Sequence, residues 1–366
     1  MNMQERYSTI VVGGGQAGLA AAHFLSQARD NYIVLEAGPG FGHSWRSRWD
    51  SLRLFTPAKF NNLPGMPFPG AAFYFPTKDE AGAYLEAYAQ RLNPPVRFHA
   101  KVDSLARDNE GFVLDSGGRR YSASRVIVAT GAYQEPLIPA FAVQLDPKIT
   151  QLHSSSYKNP DQLPQGSILV VGAGNSGAEI AVELAEAGRD VWLAGRDVGR
   201  IPADRVGKLL GGRPYWWFIS RLLSVHTPIG RRVQKASLTK GTPLIGLRPS
   251  AIVAAGVRRV QRVADVSQGM PTLANGQRLD VSGVVWATGF RPNYRWIQIP
   301  VFDEHGYPRH KRGVVPEVPG LYFLGLPFQT SLSSTLLGGV GADAGVIAGH
   351  LSRQTSRQRA VLSVSA

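Results

Sequence analysis

The chain spells a glycine-rich phosphate loop twice, and two such loops limit it to a small set of folds. Residues 11–19 read VVGGGQAGL and residues 170–179 read VVGAGNSGAE. A glycine at the end of a buried strand lets the backbone turn sharply into a helix. The helix's unpaired N–H groups, carrying roughly half a positive charge, then face a pyrophosphate. In the first copy residues 7–12 predict the strand, Gly13, Gly15 and Gly18 form GxGxxG with Gln16 and Ala17 between them, and residues 19–25 open an alanine-rich helix. In the second, residues 168–171 predict the strand, Gly172, Gly174 and Gly177 form the motif around Asn175 and Ser176, and residues 180–187 continue as helix. One such motif fits any tight turn between strand and helix. Two in the same context predict two dinucleotide-binding units in an α/β fold.

The strand after each loop separates the ligands. Residues 32–35 predict a second strand that ends at Glu36, where this fold sets a carboxylate against a ribose 2′-hydroxyl. Residues 191–193 predict the matching strand of the second unit, but it runs into Ala194, Gly195 and Arg196, with no carboxylate at the ribose. A guanidinium suits a 2′-phosphate. The cradles therefore read as FAD first and NADPH second. A solvated surface arginine beside Asp197 is the other reading of Arg196, and NADH the other nicotinamide cofactor.

The ends of the two halves repeat as well. Residues 126–131 read VIVATG and residues 284–289 read VVWATG, each a buried strand leading to a small residue and a glycine. Alternating segments at 99–125 and 257–283 predict small antiparallel sheets with glycine turns. The tail from residue 319, a strand, a glycine turn and a small-residue helix, is assigned back to the first unit. The expected architecture is thus two Rossmann-like domains, FAD on residues 1–165 and 290–366, with NADPH on 166–289 inserted between them. At 366 residues and 43% hydrophobic content the chain can fill both cores.

Composition closes several other routes. The chain has no cysteine, which removes disulfides, thiolate metal sites and any dithiol redox pair. No HExxH, no G-x-S-x-G and no His cluster appears, so no metal site is expected. The opening MNMQERYSTI has no leader pattern and no run approaches 18 apolar residues, so a cytoplasmic location is expected. Net charge is +14, and residues 196–262 hold 14 Lys and Arg against Asp197 and Asp204. A local basic field can steer anionic NADPH or keep the surface solvated, and it also suits an acidic substrate, anionic lipid or RNA. No nucleic-acid module accompanies the charge, and no nucleic-acid partner is expected. Inside it, PYWWFISRLLSV spaces Tyr215, Phe218, Ile219, Leu222 and Leu223 as an amphipathic helix, read as a cover for a core or a domain interface rather than membrane-surface contact.

The layout GGGQAG, then GNSG, then ATGF resembles the flavin-containing monooxygenases, especially the short bacterial members, over nearly the whole chain. That family carries a Phe-x-Gly-x3-His signature ending in Tyr or Phe and Lys or Pro ahead of the second cradle. Here PKITQLHSSSYK keeps His153, Tyr157 and Lys158, with Pro147 and Ile149 in place of the leading Phe and Gly. Tyr157 and Lys158 favour heteroatom oxygenation over lactone formation. The segment GHSWRSRWDSLRLFTPAKFNNLPG resembles the family's flavin-proximal region, which implies Trp45, Arg46 and Thr56 beside the flavin and leaves Trp49 as core. Larger members carry an Asn-Gly-Pro near Phe55-Thr56-Pro57. Without that amide, Asn61 or Asn62 substitutes only if the loop folds back, and substantial uncoupling is expected.

The resemblance implies hydride transfer from NADPH to FAD, addition of dioxygen, and delivery of one oxygen from a peroxyflavin to a soft sulfur or nitrogen of a small molecule. The implied FAD set is Gly13, Gly15, Gln16, Ala17, Gly18, Glu36, Ala37, Ser44, Trp45, Arg46, Thr56, Val102, Thr130, Gly131, Gly325 and Leu336. The NADPH set is Gly172, Gly174, Asn175, Ser176, Gly177, Arg196, Ala287, Thr288 and Gly289. No catalytic residue is assigned, and Thr56, Asn61 and Tyr157 are the candidates. Two other functions stay open: an NADPH-flavin oxidoreductase passing electrons to another acceptor, and a non-enzymatic redox or nucleotide sensor. Oligomeric state is not legible.

Overall fold

A computed structural model describes residues 5–201, 209–240 and 243–364. The part of the basic segment at 202–208 and 241–242 lies outside them. The first sheet is built on β1 (Glu5–Val12), whose last four residues are buried. Helix α1 (Gln16–Gln27) follows, and then β2 (Tyr32–Leu35), β3 (Val96–Arg97), β4 (Ser104–Arg107), β5 (Phe112–Ser116) and β6 (Arg119–Val128). The strand order is β3-β2-β1-β6-β5-β4.

Ten-residue β6 does two jobs. Its first half pairs antiparallel with β5 through Phe112↔Ala123 and Ser116↔Arg119, while on its other edge it pairs parallel with β1 from Glu5↔Tyr121 to Val12↔Val128. The continuous apolar run at 126–128 suits a strand buried on both faces, and the alternation across β5 suits a half-buried one.

The second sheet contains β7 (Thr150–His153), β8 (Ser167–Val171), β9 (Asp190–Ala194), β10 (Arg258–Val260) and β11 (Gly283–Trp286), in the order β10-β9-β8-β11-β7. Every pair in it is parallel. Helix α3 (Asn175–Glu186) leaves β8 as α1 leaves β1. In each sheet the cradle strand lies between the strand that leads to the ribose position and the strand that leads to the ATG turn. After the second ATG turn the chain returns to the first sheet, where β12 (Leu321–Phe323) pairs parallel with β6. The second Rossmann-like unit is therefore inserted in the first. Its outer strand β7 comes from 150–153, ahead of the expected boundary at 165/166, because Thr150–His153 pairs in register with Gly283–Trp286.

Other segments position the site. Helix α2 (Lys78–Leu92) begins with a Thr77–Glu80 capping box and packs on α1. The expected hairpin of the inserted unit forms from Val263–Ser267 and Met270–Leu273. Residues Arg213–Trp217 form a short α-helix continued by a π-turn at Phe218–Leu222. This element buries Ile219 and Leu223 and leaves Trp217 and Phe218 exposed. Helices α4 (Pro228–Lys240) and α5 (Val340–Val364) complete the set, and α5 lies along α1. None of the described helices is long and apolar enough to cross a membrane.

Candidate functional site

The two cradles are built alike, atom by atom. Gly13 and Gly172 hold φ of +104° and +111°, which an L side chain rarely adopts. A Cβ on Gly13 would lie 2.7 Å from the Ala129 carbonyl oxygen, and one on Gly172 would strike the carbonyl of Ala287. Gly18 and Gly177 each turn the helix back onto its own loop, so that a Cβ would strike Gly13 O or Gly172 O. Gly15 and Gly174 differ in kind. Each caps its helix, and a Cβ there would meet no atom within 4 Å. That open space at a helix N-terminus is the shape a pyrophosphate needs, so both cradles pass the test for a bound dinucleotide.

Around the first cradle the chain gathers three distant segments. Trp45 Nε1 donates to Gln16 Oε1 (3.1 Å), and Gln16 Nε2 donates to the Thr335 carbonyl (2.9 Å). Gly325 sits against Ala17, with room for a Cβ only 3.1 Å from the Ala17 methyl. Leu336 is partly buried in the same C-terminal run. Glu36 accepts from the backbone N–H groups of Gly14 (2.5 Å) and Gly38 (2.6 Å), which fixes its carboxylate at the loop. Thr130, in the turn after β6, accepts from Gln134 (2.8 Å), and Gly131 beside it holds φ +71° over open space. Ala37 and Ser44 are exposed, and Val102 is buried in the core under the sheet. The Arg46 guanidinium is taken up by both carboxylate oxygens of Glu86 on α2.

The loop at 56–61 does fold back. A 3-10 turn at Ala58–Phe60 brings Asn61 onto Thr56. Thr56 Oγ1 donates to Asn61 Oδ1 (2.6 Å), and Asn61 Nδ2 donates to the Thr56 carbonyl (2.9 Å). Asn61 is fully buried, held under Gly338, where a Cβ would strike the Phe60 carbonyl. Asn62 is spent on Lys59 and Phe68. Above the loop, the Trp216 ring stacks on Phe60 at 4.9 Å and 6°, and Lys59 Nζ donates to the Gly211 carbonyl (3.0 Å). The aromatic segment therefore covers this loop.

At the second cradle, Arg196 is exposed at the end of β9 and makes no bond among the described residues. Asp197 accepts from Gly199 N–H (2.9 Å), and no ion pair joins it to Arg196 among the described residues. Sequence reading missed Arg259, whose guanidinium reaches the Gly195 carbonyl (3.4 Å) from β10; the pairing of β9 with β10 that brings it there is non-local. The Asn175 side chain is bonded within the protein. Its amide pins the strand at 244–245, donating to the Pro243 carbonyl (3.1 Å) and accepting from Ile245 N–H (2.6 Å). Ser176 follows it in the same half-buried first turn of α3. Thr288 donates to the Leu137 carbonyl.

Tyr157 is tied to α3. Its hydroxyl donates to Glu183 on α3 (2.8 Å), it is fully buried, and burial with the carboxylate beside it pushes its pKa up. His153 is held at the second exit. Its Nδ1 accepts from Ser155 N–H (3.1 Å), which leaves Nε2 to donate to the Gly289 carbonyl (3.0 Å). Burial holds its pKa below the usual histidine value.

Two Rossmann units, one nested in the other, with the segments after their exit turns paired through Glu135–Pro136 and Phe290–Arg291, define a two-dinucleotide oxidoreductase. Residues 10–206 match the family described as pyridine nucleotide-disulphide oxidoreductase. An uncharacterized CzcO-like oxidoreductase of Geobacillus kaustophilus is 42% identical over 348 residues, spanning 93% of this chain and 97% of its own. Indole-3-pyruvate monooxygenase YUCCA1 of Oryza sativa subsp. japonica is 30% identical over 329 residues, 81% of each chain. A flavin monooxygenase variant from Stenotrophomonas maltophilia superposes with a TM-score of 0.79 at 26% identity, covering 96% of this chain and 100% of its own. The chain belongs to the pyridine nucleotide-disulphide oxidoreductase family and, within it, to the flavin monooxygenases.

Proposed function

We propose that this flavoprotein monooxygenase uses FAD, NADPH and dioxygen to place one oxygen on a soft sulfur or nitrogen of a small molecule. The observation that carries the reading is the pair of open cradles at Gly15 and Gly174, whose exit turns lead into the paired segments Glu135–Pro136 and Phe290–Arg291. When bound, the two cofactors supply hydride and activated oxygen. The protein's own residues bind, orient and exclude water. In this assignment Gly13–Gly18 and Glu36 hold FAD, with Gln16 and Trp45 bracing the loop against Thr335. Gly172–Gly177 hold NADPH, with Arg196 and Arg259 facing its 2′-phosphate. Because β7 joins the second sheet, the NADPH unit takes in residues 150–153 as well as 166–289.

Asn61 takes the part of the missing family asparagine. Its buried amide has one Nδ2 hydrogen and one Oδ1 lone pair left after the bonds to Thr56, and the Phe60–Trp216 stack keeps water off the loop. Disulfide chemistry, which the family description carries, is closed to a chain without cysteine.

The test is NADPH-driven turnover of methyl phenyl sulfide with dioxygen, sulfoxide and hydrogen peroxide measured together. Sulfoxide should appear only with dioxygen, beside a substantial peroxide yield. Sulfoxide formed anaerobically, or NADPH consumption that needs a quinone and ignores dioxygen, overturns the assignment.

A further inference from the structure

One cation lies outside the residues assigned to either cofactor. Arg48 lies just past the Trp45 turn, its N–H donating to the Trp45 carbonyl (3.0 Å). Its guanidinium carbon lies 5.6 Å from the centroid of the Tyr133 ring and 5.7 Å from that of Phe290. Those rings meet edge to face at 5.4 Å, and the His153 ring meets Phe290 edge to face at 4.9 Å. Tyr133 comes just after the exit turn of the first cradle and Phe290 just after that of the second. The guanidinium therefore stands in the notch where the two exits meet.

Among the described residues no carboxylate and no hydrogen-bond acceptor meets this guanidinium. The nearby anions and carbonyls serve other cations: Lys78 takes Asp79 (2.9 Å) and the Arg46 carbonyl (3.3 Å) and faces Asp50 (3.9 Å), while Lys158 takes the Ser47 carbonyl. Burial disfavours the charge on Arg48, and both Arg48 and Lys78 push the Lys158 pKa down further than burial alone. Aromatic rings stabilise a cation but use none of its five in-plane donors. A half-buried fork held between rings, with its donors unspent and a positive field around it, matches a planar carboxylate in shape and charge. The notch is also accessible, since Tyr133 is 65% exposed.

We propose that Arg48 binds an anionic group of the substrate, and that the substrate is a small thioether or amine bearing a carboxylate. The proposal rests on the monooxygenase reading of the same site. NADPH phosphates are provided for at Gly174 and Arg196, whereas Arg48 belongs to the segment tied through Trp45 to Gln16 of the first cradle. The acid end of the substrate would be fixed at the crevice and its neutral heteroatom left to reach the flavin.

Calorimetric titration of oxidised, FAD-loaded enzyme without NADPH reads this binding apart from turnover. Wild type should bind (phenylthio)acetate at least about tenfold more tightly than its methyl ester. Arg48→Gln should erase that preference and leave affinity for the ester and for NADP+ within about twofold, while Arg48→Lys keeps part of it. Equal affinity of wild type for acid and ester overturns the proposal without any variant. So does an Arg48→Gln enzyme that loses NADP+ as strongly as the acid, since the guanidinium then serves the cofactor. Discrimination between acid and ester with no sulfoxide from either upholds the anion site and removes the oxygenase reading. Sulfoxide from the ester with no preference for the acid removes the anion site alone.

Discussion

At the end of β9, Arg196 is an exposed guanidinium with its neighbouring carboxylate turned to Gly199, so its charge is available to a 2′-phosphate. A charge-assisted bond of that kind is worth roughly 1.5 to 3 kcal/mol, a factor of about 10 to 150 in affinity. Arg196→Ala should lower the ratio of kcat/KM for NADPH over NADH within the lower half of that range, because in the proposed assignment Arg259, at the Gly195 carbonyl, shares the phosphate. Arg259→Ala should lower it further in the double variant. An unmoved ratio in both removes the phosphate assignment and leaves the cradles intact. At Gly15 the constraint is steric. No protein atom lies within 4 Å of a Cβ there, so Gly15→Val should fold and yet lose FAD, because the branched side chain occupies the pyrophosphate's place. Full flavin content in the purified variant contradicts the assignment. The loop glycines were legible because the strand-to-helix turn is written in a few consecutive residues, as where Gly18 meets the Gly13 carbonyl and Gly177 that of Gly172. The roles of Arg46 and Asn175 were not legible, because Glu86 and the strand at 244–245 approach them from distant sequence.

Among the elements, both sheets were legible as short apolar runs closed by glycine, since a parallel strand buried on both faces writes itself as an unbroken run. β7 was missed for the opposite reason. TQLH is half polar and becomes a strand only by pairing with Gly283–Trp286, a partner far along the chain. The loop carrying Thr56 and Asn61 was half legible. Its residues were identified, but its closure depends on Gly338 packing against the Phe60 carbonyl. The amphipathic segment at 213–222 is the lid of that loop, and the Phe60–Trp216 stack is its contact. An aromatic pair adds about 0.5 to 1.5 kcal/mol beyond its burial. Trp216→Ala should therefore cost little stability while admitting water to the Asn61 amide. The expected readout is a rise of at least about twofold in peroxide released per NADPH, with FAD content unchanged. A peroxide share equal to that of wild type means that this segment does not govern water access.

For the whole molecule, two desolvated groups of the inserted unit set opposing responses to pH. Glu179, set into α3, has its carboxyl pushed up to about 8 by burial. Because its folded pKa exceeds the unfolded one, the stability it allows is complete at low pH and is lost as pH rises from about 4.5 to about 8. His153 has the reverse sign. Burial depresses its folded pKa below 6.5 despite the bond to Gly289, so its contribution is present above 6.5 and fades as pH falls. Just below pH 6.5 the two slopes oppose each other, and above it only the Glu179 slope persists. Each proton of difference is worth about 1.36 kcal/mol per pH unit, so the loss between pH 6.5 and 8 is on the order of 2 kcal/mol at most. Thermal unfolding of the FAD-loaded enzyme without NADPH should show Glu179→Gln gaining on wild type from pH 6.5 to 8. His153→Gln should retain that decline and extend it to lower pH. A Glu179→Gln curve parallel to wild type across this window means that the carboxyl is charged and solvated at neutral pH. The burial of the Glu179 side chain on α3 would then be wrong.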